Sequence, residues 1–208
     1  MNRYVQYGCG FTAPDGWINY DASPTLRYER LPLLGKLYTR NKQRFPENVR
    51  YGDIVKGLPE NPDSCDAVYC SHILEHLAYN DFKKALENTL LILKPGGTFR
   101  GVVPDLRAAV DAYIKNYDQS ASPASDLMHD TMLGIEDRGK GIRSIMMKLY
   151  GNSKHLWMWD YPSLRYELQN AGFRNVRPIS FGDSPDSNFA LVEEESRFYG
   201  AAAFECQK

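Results

Sequence analysis

Asp21 comes only eleven positions after Gly10, and that short gap limits what the N-terminal part of the chain can build. Residues 3–7 read as a strand and residues 17–20 as a second one, with Gly8-Cys9-Gly10 as the turn that ends the first. Glycine lets a ligand approach the backbone closely, because no Cβ stands in the way. Asp21, closing the second strand, is the kind of carboxylate that accepts hydrogen bonds from the two hydroxyls of a ribose. Together they point to a cofactor containing a nucleoside. Residues 8–13 also satisfy the dinucleotide pattern G-x-G-x-x-G/A, but that pattern needs a helix at its third small residue and an acid about 20 residues beyond. Here Pro14-Asp15-Gly16 is a turn, and no room remains for a crossover helix whose N-terminus would hold a pyrophosphate. A nicotinamide dinucleotide is therefore disfavoured, and a nucleoside cofactor without phosphates preferred.

Further strand-like runs at 49–51, 66–70 and 98–103 are short, rich in β-branched or aromatic residues, and bounded by turn formers. Between the last two, Asn80 reads as an N-cap and Phe82, Ala85, Leu86, Leu90 and Leu93 as one helical stripe, stopped by Pro95-Gly96-Gly97. A second helix after Pro104-Asp105 carries Leu106, Ala109, Val110, Tyr113, Ile114 and Tyr117, and a third follows Asp160 and ends near Gly172. Two consecutive strands at 176–181 and 198–206 close the chain and should pair antiparallel. This alternation predicts a mostly parallel, doubly wound α/β sheet with helices on both faces. At 208 residues the chain suits one such domain. Residues 118–159 break the rhythm with Met128, Met132, Met146, Met147 and the run Arg138-Gly139-Lys140-Gly141. They are expected to form a lid or substrate-binding insertion at the C-terminal edge of the sheet.

Composition excludes several classes. A net charge of -1 and a pI near 6.4 provide no global field for nucleic acid, so none is expected as partner. Cys9, Cys65, Cys70 and Cys206 contain no C-x-x-C pair and no zinc spacing, so reduced thiols and no metal site are expected. No apolar stretch reaches the roughly 18 residues of a membrane span, and the first residues lack a signal-peptide core. The expected location is the cytoplasm.

Four segments in order resemble class I S-adenosylmethionine-dependent methyltransferases, especially the type-11-like enzymes found among bacterial sugar and cell-surface genes. They are residues 8–21, then Gly52-Asp53-Ile54, then residues 66–77 with Ser71-His72-Ile73-Leu74-Glu75-His76, then Leu93-Lys94-Pro95-Gly96-Gly97; residues 155–160 and 168–173 extend the similarity. The resemblance implies a Rossmann-like, seven-stranded sheet with an antiparallel C-terminal strand and a first crossover helix reduced or absent. It implies S-adenosyl-L-methionine as cofactor, with Gly8, Cys9 and Gly10 along its methionine part, Asp21 on the ribose, Asp53 and Ile54 at the adenine, and Ser71 and His72 beside the sulfonium. The family's acid two residues before the first glycine, available to the cofactor's ammonium, is here Gln6. An Asn/Asp-Pro-Pro-aromatic motif is absent after the fourth strand, which argues against methylation of exocyclic base amines or glutamine amides. Methylation of oxygen on a small molecule or saccharide is the preferred reading. His72 and His155 are the candidate bases, Glu75 and His76 are read as polar packing, and His129 ranks behind them. The alternatives are a catalytically silent binding domain and, less favoured, a nicotinamide-dependent oxidoreductase. A homodimer is left open.

Overall fold

Every residue of β1 (Tyr4–Tyr7) is buried, as befits a strand with parallel neighbours on both sides. It pairs in parallel with β2 (Trp17–Asp21) and with β4 (Cys65–Ser71). β3 (Val49–Tyr51) lies beyond β2, and β5 (Leu93–Pro104) is parallel to β4. β7 (Ala201–Gln207) runs antiparallel to both β5 and β6 (Arg174–Pro178), giving the order β3-β2-β1-β4-β5-β7-β6. This is the doubly wound, seven-stranded sheet that the alternation predicts. Strand order reverses between β1 and β4, so a crevice opens at their carboxyl ends, where ligands bind in sheets of this kind. The computed structural model describes residues 2–32, 35, 43–135 and 154–208, and the statements below concern these. Met146, Met147 and the 138–141 run lie outside them, as does much of the expected insertion.

The helices are α1 (Pro24–Glu29), α2 (Tyr79–Ile92), α3 (Leu106–Asn116), α4 (Pro123–Asp130) and α5 (Tyr161–Asn170). On one face α2 and α5 bury Phe82, Leu86, Leu164 and Leu168 against Val5, Val68, Phe99 and Phe204. Trp159, 2% exposed, sits 4.1 Å from the Phe82 ring, so it belongs to the core rather than to a lid. On the other face Tyr4, Trp17, Tyr69 and Val102 pack on Phe189 and Val192. These last residues lie in or beside a 3-10 turn, Ser187–Leu191, which is followed by another, Glu195–Phe198. The first turn is pinned by Tyr4 Oη donating to Asp186 (2.8 Å) and Trp17 Nε1 donating to the Asn188 carbonyl (3.2 Å). The gap between β1 and β2 holds no helix, and the C-terminal turns cover the sheet beside it.

Some boundaries differ from the sequence expectation. α2 starts at Tyr79, one residue before the expected cap, and gives way at Leu93 to β5, ahead of Pro95-Gly96-Gly97. Leu93 is already paired with Cys65, and the Pro-Gly-Gly stretch forms the irregularity where the register shifts, with Gly96 at φ +79. The last two strands begin and end at other positions than expected, because their boundaries follow pairing with β5 rather than local pattern. α3 buries no residue fully: Ile114 and Tyr117 of the expected core stripe are 64% and 54% exposed.

Candidate active site

The glycine turn sits at the carboxyl end of β1, with Gly8 at φ +66 and Gly10 at φ +55, conformations that favour glycine. The two glycines serve different purposes. A Cβ on Gly8 would fall 2.0 Å from Ile73 Cδ1, so the space that sequence reasoning assigned to a ligand is taken by a side chain from the loop after β4. A Cβ on Gly10 would meet nothing within 4 Å, so the open face of the turn is there. The Cys9 thiol is buried with Leu26, Phe45 and Val49, and burial pushes its pKa up to about 12, leaving only backbone for a ligand.

Asp21 closes the turn. Its Oδ2 accepts from the Gly10 N–H (3.0 Å) and its Oδ1 from the Ser23 N–H (2.7 Å) that leads into α1. Burial raises its pKa, against the lowering effect of those two bonds. A carboxylate has about four lone-pair sites, so about two remain for a ligand.

Gln6 is not free to replace the family's acid. Its Nε2 donates to the Thr12 carbonyl (2.7 Å) and to Asn19 Oδ1 (2.6 Å), and Asn19 Nδ2 in turn donates to the Pro14 carbonyl (3.2 Å). Where a crossover helix would satisfy its own backbone, this amide pair ties down a helix-free connection. Gln6, Gly8, Thr12, Tyr69, Ser71, Glu194 and Arg197 enclose a small cavity of about 30 Å³. Glu194 accepts from Thr12 Oγ1 (2.6 Å), which brings the C-terminal turns onto the glycine loop. Ser71 Oγ and Tyr69 Oη are buried in this region without hydrogen-bond partners.

The expected adenine residues divide. Asp53 makes the turn after Gly52, with Oδ1 accepting from the Val55 N–H (3.1 Å) and Oδ2 2.9 Å from Lys56 Nζ. It also lines a cleft of about 620 Å³ with Ala22, Arg27, Tyr28 and Tyr51. The Ile54 side chain is only 5% exposed and belongs to the main core, so it does not face that cleft.

At the end of β4 the chain turns sharply, with His72 at φ +54, into a 3-10 turn, Leu74–His76. Glu75 is fully buried, and neither carboxylate oxygen accepts a hydrogen bond. Three imidazoles face its Oε1: His72 Nδ1 at 3.5 Å, His76 Nε2 at 3.8 Å and His155 Nε2 at 3.9 Å. Burial pushes the Glu75 pKa up to about 8 and lowers those of His72 and His155, the latter further depressed by His76. The structure thus brings both candidate bases to one carboxylate. Reading Glu75 and His76 as packing missed this convergence. The signal within reach was the i, i+3 spacing of His72 and Glu75; His155 arrives from a loop 80 residues later.

Beyond β5, Asp105, Ala109, Tyr113, Asp126, His129 and Asp130 help line a cavity of about 460 Å³ between α3 and α4. His129 therefore belongs to this cavity. Trp157, 44% exposed, packs with its ring tilted against that of Tyr79 (4.9 Å) at the surface.

Comparison with known proteins places this geometry. Residues 7–177 match a family described as a methyltransferase domain. No curated protein matches the chain. A solved S-adenosylmethionine-dependent methyltransferase of Methanosarcina mazei superposes with a TM-score of 0.53 at 13% identity, covering 100% of this chain and 92% of its own. One from Archaeoglobus fulgidus gives 0.51 at 15% identity, covering 100% and 86%. A methyltransferase of Haloferax volcanii, solved with the Trm112 activator, gives 0.50 at 18% identity, covering 99% and 82%. At such identities the structures speak to the fold, and the family match covers most of the sequence. Among the described residues no helix is long and apolar enough to cross a membrane. The chain belongs to the methyltransferase-domain family of class I enzymes, whose cofactor is S-adenosylmethionine.

Proposed function

We propose that the chain transfers a methyl group from S-adenosylmethionine to an oxygen of a small-molecule or saccharide acceptor. The residues at the carboxyl ends of β1, β2 and β4 fit that cofactor. Gly10 leaves open space above the turn, Asp21 keeps acceptor capacity, and Ser71 Oγ and Tyr69 Oη are buried polar atoms without partners. When bound, the cofactor supplies an electrophilic methyl group on a sulfonium. Asp21 would hold the ribose hydroxyls, and Ser71 and His72 would border the reacting end. Asp53 reaches the adenine region only by giving up some of its contact with Lys56. Asp21→Ala should weaken cofactor binding about 10- to 100-fold, the range for a hydrogen bond to a charged group. Calorimetric titration with S-adenosylhomocysteine checks this; unchanged affinity would remove Asp21 from the site.

One observation carries the choice of oxygen. His72 Nε2 lies 3.0 Å from the Arg197 carbonyl, which can only accept, so Nε2 carries the proton. The neutral ring therefore presents a lone pair at Nδ1, 3.5 Å from Glu75 Oε1, and burial keeps it neutral. A hydroxyl acceptor needs such a base, typically worth about 10²- to 10⁴-fold. Of the two candidates His72 is next to the cofactor region, while His155 acts on the far side of Glu75. Residues 118–159 serve as the acceptor-binding element in this reading. The α3–α4 cavity, with Asp105, Asp126 and Asp130, suits polyhydroxylated or cationic acceptors and repels phosphorylated ones. His72→Ala should lower turnover by about 10²-fold or more, with affinity for S-adenosylhomocysteine retained. Full turnover in both His72→Ala and His155→Ala would overturn the assignment of a histidine base.

A further inference from the structure

Buried, unpaired carboxylates are rare because desolvation of the charge is costly. Glu75 faces three imidazoles and accepts a hydrogen bond from none of them. The ring orientations are fixed from outside the cluster. His76 Nδ1 lies 3.0 Å from the Lys154 carbonyl and so carries its proton there, which leaves the Nε2 lone pair facing Glu75. A backbone carbonyl that fixes one nitrogen as a donor and frees the other is the usual arrangement around a metal-ligating histidine. His72 shows the same pattern through the Arg197 carbonyl. Lone pairs thus converge on a carboxylate at the bottom of the crevice. Such an arrangement calls for a positive charge at its centre.

We propose that Glu75, His76 and His155 bind a divalent transition-metal ion at the end of β4, with positions left open toward the acceptor. Ligand atoms from the three residues all lie within 4.8 Å of one another. Around a tetrahedral ion with bonds of about 2.1 Å, neighbouring ligand atoms stand about 3.4 Å apart. The imidazole-to-Glu75 distances of 3.8 and 3.9 Å need only a small contraction to reach that. The frame is already rigid: the Glu75 carbonyl accepts from the Leu156 N–H (2.7 Å) and the Trp157 N–H (3.1 Å), clamping the His155 loop to the Leu74–His76 turn. The rings of His76 and His155 meet edge to face at 4.9 Å.

Ligand chemistry narrows the ion. Two imidazoles and one carboxylate suit zinc, iron(II), cobalt(II) or nickel(II), whereas magnesium and calcium prefer oxygen donors alone. Three protein ligands with a fourth position open is the composition of catalytic rather than structural zinc sites. The cysteine spacing spoke only against thiolate sites, and none of the four buried thiols belongs to this cluster of ligand atoms. The role of the ion rests on the methyl-transfer reading. There it lowers the pKa of an acceptor hydroxyl that reaches it. The oxygen forms its bond to the methyl carbon as the carbon–sulfur bond breaks, and the hydroxyl proton passes to His72 Nδ1. The products are a methyl ether and S-adenosylhomocysteine.

The test uses the full chain, stripped with a chelator and then titrated with zinc by calorimetry and with cobalt(II) by visible absorption. One ion per chain is expected, with cobalt d–d bands of a nitrogen- and oxygen-ligated site. His155→Ala and Glu75→Gln should each weaken zinc binding by at least about 100-fold, beyond the 10–100-fold typical of outer-shell changes. Circular dichroism and S-adenosylhomocysteine titration confirm that each variant is folded. If Glu75→Gln fails to fold, His155→Ala and His76→Ala carry the comparison. Fewer than half an ion per chain, or unchanged affinity in folded His155→Ala, would overturn the site and leave a proton shared between Glu75 and the histidines in its place. Stripped protein that still binds S-adenosylhomocysteine keeps the methyltransferase reading intact whatever the zinc result. Zinc binding without any affinity for S-adenosylhomocysteine would sink that reading and not the metal site.

Discussion

Gly8→Ala should cost about 2–5 kcal/mol of stability and abolish cofactor binding at ordinary concentrations. Two separate effects add here. An alanine held at φ +66 pays about 1–2 kcal/mol for the left-handed conformation. Its Cβ would also fall 2.0 Å from Ile73 Cδ1 and 2.2 Å from Ile73 Cγ1, and overpacking of this kind costs about 1–3 kcal/mol. Relief requires the Ile73 side chain to leave its present rotamer, on the loop that bears His72 and Glu75. The double variant Gly8→Ala/Ile73→Ala should recover the steric part and keep the conformational part, so a double-mutant cycle separates them. Gly10→Ala, with φ +55 and nothing near its Cβ, should lose only the conformational part. Urea unfolding of the five proteins, with Ile73→Ala alone completing the cycle, checks the series. If Gly8→Ala were as stable as the parent, the tight approach of the β4 loop to the glycine turn would be wrong.

Arg100→Leu should destabilise the fold by about 3–5 kcal/mol, the usual result of removing one partner from a buried ion pair. The guanidinium on β5 is fully buried and holds three carboxylates at once. Nε and Nη2 donate to Glu193 Oε1 (2.9 and 2.7 Å), Nη1 to Glu205 Oε2 (2.6 Å), and both Nη atoms to Asp183 Oδ1 (3.1 and 3.0 Å). Its planar fork allows this, and it also lies over the Phe189 ring. Without it, Glu193 is left fully buried with no cation among the described residues, while Asp183 and Glu205 keep only Arg177. At about 2–4 °C per kcal/mol for a chain of this size, the melting temperature should fall by roughly 6–20 °C. Arg100→Lys should fall between the parent and the leucine variant, since it keeps the charge and loses the fork. Glu193 adjoins Glu194, which meets Thr12 on the glycine loop, so cofactor affinity should drop along with stability. A leucine variant within 1 kcal/mol of the parent would show that the three acids do not depend on Arg100.

What the sequence disclosed followed distance along the chain. The glycine turn, Asp21 and the missing first crossover helix were legible because all three are settled within residues 3–21. Gln6 was legible in principle: β1 and β2 pair with Gln6 opposite Asn19, and that register joins the two amides that brace the loop. Read in isolation, it seemed a weakened ammonium ligand. The cover of the second sheet face and one side of the small cavity, Val192, Glu194 and Arg197, come from residues 183–205, and no local pattern announces such distant partners. Arg100 illustrates the same limit, since a lone arginine in a strand gives no sign of three acids waiting beyond residue 180. Ile54 shows a simpler limit: its side chain packs into the core, as burial of apolar area favours.

Titration of the chain with S-adenosylhomocysteine and with a nicotinamide dinucleotide, in parallel, separates the two cofactor chemistries that a glycine turn followed by an acid can serve. Saturable binding of one S-adenosylhomocysteine per chain, with no heat from the dinucleotide, is what an open Gly10, a receptive Asp21 and a helix-free β1–β2 connection require. Binding of the dinucleotide with no response to S-adenosylhomocysteine would contradict them.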